Sequence, residues 1–375
     1  MKRRALYPQP WWLHDDLTFW APLCDPVNPL AIYRGAGPLS MTRATAALRF
    51  DGTKFVSVGN NVLRIEPKGA LIEGPRVNSM LLTDTSQDLL AQWTKVGITA
   101  TFDDDANGYG GKRWALVADA SDRQFVRSIT IPAAAYSLAF YVRKADGSAV
   151  IAADCNIYCD NANAASAYTL IGNGIYRVSS ENFTGANAAR NSGLTVKANK
   201  TVHLVAPPQL EAGIFCSSPV PTTAGTATRN GDKLTFPKAG ILDGAVGTLA
   251  MGIDFNGGLQ YERILGNAAD AGAGQTYIQP FGPTLTVNDG AGKMLNVISA
   301  GNATHRIAIA WSAQLKGVTD GGAVVAEAFA GDMAFDDNPV LGSNTAGGRE
   351  IFGHLRDLRI WNRAFTSAEL QNITR

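Results

Sequence analysis

The stretch Ser137-Leu-Ala-Phe-Tyr-Val-Arg143 is the clearest indicator of fold class in this chain. Its apolar residues Leu138, Phe140 and Val142 take every second position, which is typical of a β-strand with one face in a core. Far along the chain, His305-Arg-Ile-Ala-Ile-Ala-Trp311 repeats the alternation. Together the two runs predict that both halves of the chain are built from sheets.

Similar runs rich in β-branched and aromatic residues surround both stretches, and turn-forming residues separate them about every 8 to 12 positions. Such spacing is typical of antiparallel sandwiches. One helix is predicted, where Thr366-Ser-Ala-Glu369 has the spacing of a capping box ahead of Leu370 and Ile373. The predicted fold is therefore all-β: two antiparallel β-sandwich (jelly-roll) domains after an extended N-terminal arm, with a short C-terminal helix.

The segment 219–232 predicts the division between the two sandwiches, because its Pro, Thr, Gly and Asn residues offer little apolar surface to bury. We interpret it as a linker. The arm and its lead-in strands then take 1–61, the first sandwich 62–218 and the second sandwich 233–375. Residues 233–375 are accordingly expected to fold alone.

Composition excludes several classes of protein. The chain of 375 residues carries 33 Lys+Arg against 32 Asp+Glu, and only 17% of its residues are charged. This balance gives no electrostatic signature for nucleic acid or an anionic membrane. Nucleic-acid binding is therefore not predicted. No apolar run approaches the roughly 18 residues of a membrane span, so membrane insertion is not predicted either.

The cysteines and the first residues bear on the compartment. Cys24, Cys155, Cys159 and Cys216 are expected to be free thiols, since Cys155 and Cys159 would lie about 13 Å apart on an extended strand. The basic N-terminus is interrupted by prolines and by Asp15-Asp16 before an apolar core forms. We therefore predict no signal peptide.

The arm concentrates aromatic residues at Trp11, Trp12, Phe19 and Trp20. An extended arm has too few residues for its own core, so these side chains must pack on the first sandwich, on another copy of the chain or on a different protein. The last two alternatives are favoured. The arm is thus predicted to anchor the protein to its partners, and a homo-oligomer is expected, with a trimer favoured.

Several stretches carry a resemblance to known families. Five stretches resemble, in order and spacing, a module of tailed-bacteriophage and prophage structural proteins with a carbohydrate-binding-module-like jelly roll. In this chain they are Lys68-Gly-Ala-Leu-Ile-Glu-Gly-Pro-Arg-Val-Asn78, Trp93-Thr-Lys95, Ser137–Arg143, Gln209-Leu-Glu-Ala-Gly213 and Pro221-Thr-Thr223. The segment Leu358–Leu370 resembles the last strand and exit helix of laminin-G/concanavalin-A-like sandwiches. The resemblance implies a virion protein that is made in the host cytoplasm and released by lysis.

Motifs for catalysis are missing from the sequence. It contains no Gly-x-Ser-x-Gly, His-Glu-x-x-His, P-loop or dinucleotide fingerprint. Concanavalin-like glycosidases carry a Glu-x-Asp-x-x-Glu strand, and this chain has no such run. Of the histidines, each is expected to be structural. The protein is therefore predicted not to be an enzyme.

The segment 103–114 is the first candidate for a glycan site. Sugar recognition needs an aromatic surface with polar side chains nearby, and the predicted contacts are Trp114, Tyr109, Arg113 and Asn107. A core position for Trp114 is the alternative. The same segment begins like a calcium loop, with Asp103, Asp105 and Asn107 as candidate ligands.

That calcium loop is incomplete, because Trp114 stands at the twelfth position where a Glu ligand belongs. A solvated turn is the competing interpretation, and it applies equally to Asp336-Asp-Asn338. No cofactor is required, and calcium is the one metal that the segment could hold.

These observations lead to three functional hypotheses. The first is a phage virion structural protein, a tail fibre or spike or a capsid-associated fibre, that attaches to host surface glycans. The alternative is an architectural decoration protein that contacts only other virion proteins. A capsule depolymerase with an unrecognised carboxylate pair is the weaker alternative.

Overall fold

The computed structural model describes residues 10–13, 16–35, 37–255, 263–267, 276–281, 284–289, 294–298, 304–329, 332–343 and 350–375. Within these residues the chain is almost entirely antiparallel β-structure, which confirms the predicted all-β class. Two 3₁₀-helices, Asp88–Gln92 and Tyr109–Gly111, and one short α-helix accompany the strands.

The strands of the first half are β1 (Leu17–Ala21), β2 (Ser40–Thr42), β3 (Ala47–Phe50), β4 (Phe55–Val58), β5 (Arg64–Glu66), β6 (Gly69–Ile72), β7 (Arg76–Asn78), β8 (Thr94–Val96), β9 (Ile98–Asp104), β10 (Lys112–Ala118), β11 (Arg123–Thr130), β12 (Ala135–Arg143), β13 (Cys155–Cys159), β14 (Ala162–Asn163), β15 (Ala167–Gly172), β16 (Ile175–Thr184) and β17 (Ala189–Val196). Those that follow are β18 (Thr201–Ala212), β19 (Ala227–Arg229), β20 (Lys233–Thr235), β21 (Gly247–Phe255), β22 (Leu265–Gly266), β23 (Thr276–Phe281), β24 (Thr284–Asp289), β25 (Met294–Ile298), β26 (Thr304–Trp311), β27 (Gln314–Thr319), β28 (Val325–Ala328), β29 (Val340–Leu341) and β30 (Gly353–Trp361).

The chain divides into two compact units, each built from separate segments. The C-terminal unit comprises the described residues of 1–42, 68–74 and 232–375, and the central unit comprises 43–67 and 75–231. Both units are therefore discontinuous in sequence, unlike the consecutive domains that the linker interpretation predicted.

The central unit is a sandwich of two antiparallel sheets. One sheet has the order β15-β16-β12-β18-β10-β9 and the other β14-β13-β17-β11-β8. Large apolar side chains fill the space between them, among them Trp93, Trp114, Phe125 and Phe140. β12, which contains the alternating stretch quoted first, lies inside the first of these sheets.

The opposite face of β12 is also buried. Tyr141 packs there with Phe50 and Phe55 of the β3–β4 hairpin, and its ring centroid lies 4.9 Å from that of Phe55. Residues 43–61, assigned from sequence to the arm and its lead-in strands, thus cover a sheet of the central unit.

The predicted linker is also part of the central unit. Its strand β19 pairs with β7, and Val220 and Thr222 are buried. Thr222 Oγ1 donates to the carbonyl oxygen of Met80 at 2.6 Å. The linker interpretation is wrong because strand pairing, buried side chains and hydrogen bonds from small polar side chains together hold this segment.

The C-terminal unit contains two further antiparallel sheets. The first runs β28-β27-β26-β21-β30-β6 and the second β2-β20-β29-β22-β23-β24-β25. The edge of β30 opposite β21 is shared by two short strands: β6 pairs with Gly353–Leu355, and β1 pairs with Leu358–Trp361.

Strand β1 corrects the predicted role of the N-terminal arm. Phe19 is fully buried and stacks on Phe236 with ring centroids 5.5 Å apart, while Trp20 Nε1 donates to Asp357 Oδ1 at 2.9 Å. These side chains pack inside their own chain, on the second sandwich rather than on the first sandwich or a partner. The anchoring prediction is therefore wrong for Phe19 and Trp20, because the segment completes a sheet.

The α-helix α1 (Ser367–Ile373) confirms the predicted terminal helix. Thr366 is its N-cap, and the reciprocal bonds between Thr366 and Glu369 form the expected capping box. Leu370 of this helix packs with Trp361 on a face of the sheet where Ala308 and Ala310 leave room. That face also receives Trp12 and Leu13.

The four cysteines are free, as predicted, and Cys155 and Cys159 lie along β13. In the part of the chain that the structure describes, no helix has the length and apolar character needed to cross a membrane.

Candidate functional site

The predicted glycan segment 103–114 forms the end of the β9–β10 hairpin. Arg113 Nη1 lies 3.0 Å from His203 Nδ1 and 3.5 Å from Asp105 Oδ2. Asn107 Oδ1 accepts a hydrogen bond from Asn173 Nδ2 at 2.9 Å. Tyr109 is half-buried against the cluster around Phe50, and burial raises the pKa of its phenol.

Trp114 does not join these polar residues. Its side chain is 2% exposed and packs in the core between Phe102 and Phe125, at centroid distances of 5.4 and 6.1 Å. Neighbours on a strand point to opposite faces, so Arg113 faces outward where Trp114 faces inward. Trp114 is therefore a core residue with no ring face for a sugar, as the alternative interpretation held.

Two of the three predicted calcium ligands, Asp105 and Asn107, have other partners. Asp105 lies against two guanidinium groups, with Arg143 Nη1 3.8 Å from its Oδ1 in addition to Arg113. The positive charge around this carboxylate disfavours a cation. Among the described residues, no group of three or more His, Cys, Asp or Glu side chains is arranged to hold a metal ion.

A groove in the C-terminal unit combines aromatic and charged side chains. Its volume is about 420 Å³, and its floor includes Ala250, Met251 and Gly252 of β21. The side chains available for recognition are Trp11, Trp12, Arg306, Arg356, Asp357, Arg359 and Asn372. We refer to this site as the tryptophan–arginine groove.

A β-bulge in β30 brings the charged side chains into the groove. Ala250 pairs with Arg359 but Gly252 pairs with Arg356, so two residues of β30, Asp357 and the buried Leu358, stand opposite one residue of β21. Asp357 has φ of 55°, a left-handed conformation that is unfavourable for residues other than glycine. Bulges of this kind redirect side chains. As a result, the consecutive residues Arg356 and Asp357 line the same groove.

Arg359 is held in place by several contacts. Its Nε donates to Asp357 Oδ1 at 2.9 Å, its Nη2 donates to the other carboxylate oxygen, and its guanidinium carbon lies 3.7 Å from the ring centroid of Trp12. Burial and the nearby charge of Arg306 lower the pKa of Arg359, although Asp357 opposes this shift. The groove therefore presents a fixed cation on an aromatic surface.

The two tryptophans differ in how they are held. The carbonyl oxygen of Trp12 accepts a hydrogen bond from Trp361 Nε1 at 2.9 Å, and the Trp12 ring meets Trp20 edge-on at 5.4 Å. Trp11 contacts Phe365 at a centroid distance of 5.7 Å and is 37% exposed. Trp12 is thus a rigid wall of the groove, and Trp11 offers apolar surface to a ligand.

The sequence predicts only part of this groove, and for a different role. The sequence predicts Trp11 and Trp12 as anchors, whereas no pattern in it points to Arg306, Arg356 or Arg359. These residues come from opposite ends of the chain and meet only through strand pairing. The one local signal was the density of Arg and Asp in Arg356-Asp-Leu-Arg359, which an alternating strand would have divided between two faces.

The described histidines are buried and have polar partners. His305 Nδ1 lies 2.6 Å from Asp320 Oδ2, and His354 Nδ1 lies 3.4 Å from Asp254 Oδ2. Although burial acts to raise the pKa of Asp254, hydrogen bonds from His354, Thr304 and Lys68 hold it well below its usual range. Asp254 is therefore ionised at neutral pH. His14 lies outside the described residues.

No family model matches the chain, and no curated protein is similar to it. The solved structures that match the chain include a putative carbohydrate-binding protein from Bacteroides ovatus, with 13% identity, a TM-score of 0.30 and coverage of 68% of this chain and 81% of that one.

Two more solved structures are similar at the same level. Domain 4 of an extracellular arabinanase from Geobacillus stearothermophilus, in complex with arabinotriose, has 12% identity and a TM-score of 0.31, covering 43% of this chain and 81% of that one. Domains LG4-5 of the mouse laminin α1 chain have 12% identity and a TM-score of 0.26, and the match covers 66% of this chain and 90% of that one. Similarity at these levels carries no information about the function of this chain.

Proposed function

We propose that this protein binds glycans through the tryptophan–arginine groove, as a structural protein of a tailed-phage particle that attaches to host surface polysaccharide. The observation that carries the proposal is the partly exposed Trp11 beside Asp357 and Asn372 in a groove of about 420 Å³. An apolar ring stacks on the C–H face of a sugar, while carboxylate, amide and guanidinium groups bond to its hydroxyls. The virion role rests on the sequence resemblance alone, and a homotrimer stays a prediction.

We infer binding without catalysis. Glycoside hydrolysis uses two carboxyl groups on either side of the scissile bond. Of the described residues that line the groove, Asp357 alone carries a carboxylate, and both of its oxygens accept hydrogen bonds from Arg359. This arrangement favours an attachment protein over the capsule depolymerase.

The first experiment measures binding of the purified chain to an array of bacterial capsular and lipopolysaccharide glycans. We expect at least one to bind, and Trp11→Ala to weaken that binding at least about tenfold, because stacking on an aromatic ring is worth on the order of 1.4 kcal/mol. Val27→Ala is the control, since Val27 is also exposed in the C-terminal unit but does not line the groove. It should leave affinity unchanged.

A second control distinguishes the effect of losing a core tryptophan from the effect of losing a groove tryptophan. Trp114→Ala should lower the melting temperature strongly, with a cost of about 3 to 5 kcal/mol, and leave the affinity per folded molecule unchanged. If no glycan binds, or if Trp11→Ala binds as the wild type does, the proposed site is wrong.

Mass spectrometry of purified particles tests the virion role separately. Absence of the chain from particles would contradict that role whatever the glycan array shows.

A further inference from the structure

The tryptophan–arginine groove concentrates positive charge. Its described lining contains three arginines, Arg306, Arg356 and Arg359, against one acid, Asp357, a local balance of +2. The whole chain has a formal charge of only +1. The groove thus carries a net positive charge on a nearly neutral molecule. Concave sites with charge of one sign attract ligands of opposite charge.

The three arginines are not equivalent. Arg359 is paired with both oxygens of Asp357, and Arg306 Nη1 donates to the main-chain oxygen of Arg375. Arg356 differs, because no group in the described part of the chain accepts a hydrogen bond from its guanidinium. Its five N–H donors remain available to a ligand.

The backbone around Arg356 is shaped to hold its side chain along the groove. Gly252 lies opposite it on β21, and a Cβ atom at Gly252 would come within 2.7 Å of Arg356 Cγ and Nε. Glycine at this position therefore lets the stem of Arg356 lie across the strand. The bulge at Asp357 is what turns Arg356 toward the same groove as Arg359.

Crowding of like charge is the second feature that points to an anion. The charge of Arg306 acts to lower the pKa of Arg359, which means that the two guanidinium groups repel each other in the groove as it stands. An anion between the arginines relieves that repulsion. Guanidinium groups also match the planar carboxylate in geometry, with two parallel hydrogen bonds.

We propose that the ligand of this groove is an acidic polysaccharide, with a sugar carboxylate bound by Arg356 and Arg306 and the adjoining sugar ring on Trp11. The inference rests on the proposed glycan-binding function and adds the chemical class of the ligand. Asp357 and the Trp12 ring keep Arg359 in position beside the carboxylate.

The test uses acidic polysaccharides and their uncharged counterparts. Oligomers of hyaluronan, alginate, polygalacturonate and α2,8-polysialic acid are titrated into the full chain, and each is compared with its carboxyl-methyl-esterified form. We expect at least one acidic oligomer to bind at least about tenfold more tightly than its ester, since a charge-assisted hydrogen bond is worth about 1.5 to 3 kcal/mol. Its affinity should fall as salt rises from about 50 to 300 mM.

Substitutions test whether Arg356 and Arg306 bind the carboxylate. Arg356→Gln should bring the affinity for the acidic oligomer close to that for its ester, while Arg190→Gln removes the same charge from an exposed site in the central unit and should have no effect. Arg306→Gln is the second variant, in case Arg356→Gln does not fold. Equal losses in the Arg356→Gln and Arg190→Gln variants would show non-specific attraction and overturn the inference.

The remaining outcomes distinguish this inference from the proposed function. Tight, Trp11-dependent binding of neutral glycans with equal affinity for acid and ester would overturn the acidic class and leave glycan binding intact. Binding of none of these probes and of no glycan on the array would overturn both.

Discussion

Glu211 is the most deeply buried acid of the central unit. Its oxygens accept hydrogen bonds from Ser217, at 3.0 Å from the backbone nitrogen and 2.7 Å from the hydroxyl, and Arg76 Nε lies 3.3 Å away. Burial nevertheless dominates and raises the pKa of Glu211 from 4.5 to about 7. At this residue, desolvation of a carboxylate outweighs the attraction of the neighbouring arginine.

The raised pKa of Glu211 predicts how stability depends on pH. Between pH 4.5 and about 7 the folded chain binds the proton that the unfolded chain has released, so the free energy of unfolding falls as pH rises through this window. A shift of this size corresponds to about 3 kcal/mol. The Glu211→Gln variant cannot titrate, so its melting temperature should fall less between pH 5 and 8 than that of the wild type.

Thermal melts of both proteins at several pH values check this prediction. The relevant quantity is the difference in melting temperature between wild type and variant. His203 and other groups titrate in both proteins, so their contributions cancel in this difference. Parallel curves for the two proteins would contradict the assignment of a neutral Glu211 below pH 7.

At the scale of single elements, the β3–β4 hairpin decides which faces are open to a ligand. Phe50 and Phe55 cover the outer face of the sheet that contains β12, and Phe50 approaches so closely that a Cβ at Gly172 would lie 2.6 Å from its ring. That face is thus a second core. The covering hairpin leaves the central unit without an open aromatic surface there, which shifts the candidate site to the groove of the C-terminal unit.

Strand β1 predicts the effect of a substitution in the N-terminal segment. Phe19 is fully buried on Phe236, so Phe19→Ala should cost about 3 to 5 kcal/mol and lower the melting temperature of the isolated chain. Val27→Ala is the control, because Val27 is 92% exposed in the same segment. If the segment were instead an anchor for another protein, Phe19→Ala would leave the melt unchanged.

On the scale of the whole molecule, the discontinuous units determine which fragments can fold. Residues 233–375 lack both β1 and β6, the two strands that cover one edge of β30. We expect this fragment to aggregate or to melt without cooperativity, contrary to the expectation from sequence, because the exposed edge leaves backbone groups and apolar side chains unpaired.

A matched fragment provides the comparison. Residues 43–231, with 68–74 replaced by seven Gly and Ser residues, retain every segment of the central unit. This fragment should melt cooperatively and give a dispersed amide NMR spectrum. A cooperative melt of 233–375 alone would show that β1 and β6 are dispensable and that the division into units is wrong.

The sequence by itself determined the features that depend on neighbouring residues. Alternation at Ser137–Arg143 and His305–Trp311 predicted strands, and the capping box at Thr366 predicted the terminal helix. Both signals are local, because a strand or helix face repeats within a few residues. They were enough to establish the all-β sandwich class.

Only the tertiary structure decided where segments distant in sequence meet. The pairing of β1 with β30 joins Leu17 to Trp361, and no local pattern encodes a partner so far along the chain. The same pairing brings Trp11 and Trp12 to the arginines, and one bulged residue, Asp357, sets the direction in which Arg356 points. The side chains of a strand alternate between its faces, so a single inserted residue reverses the facing of those beyond it, and this change is visible only once the register is known.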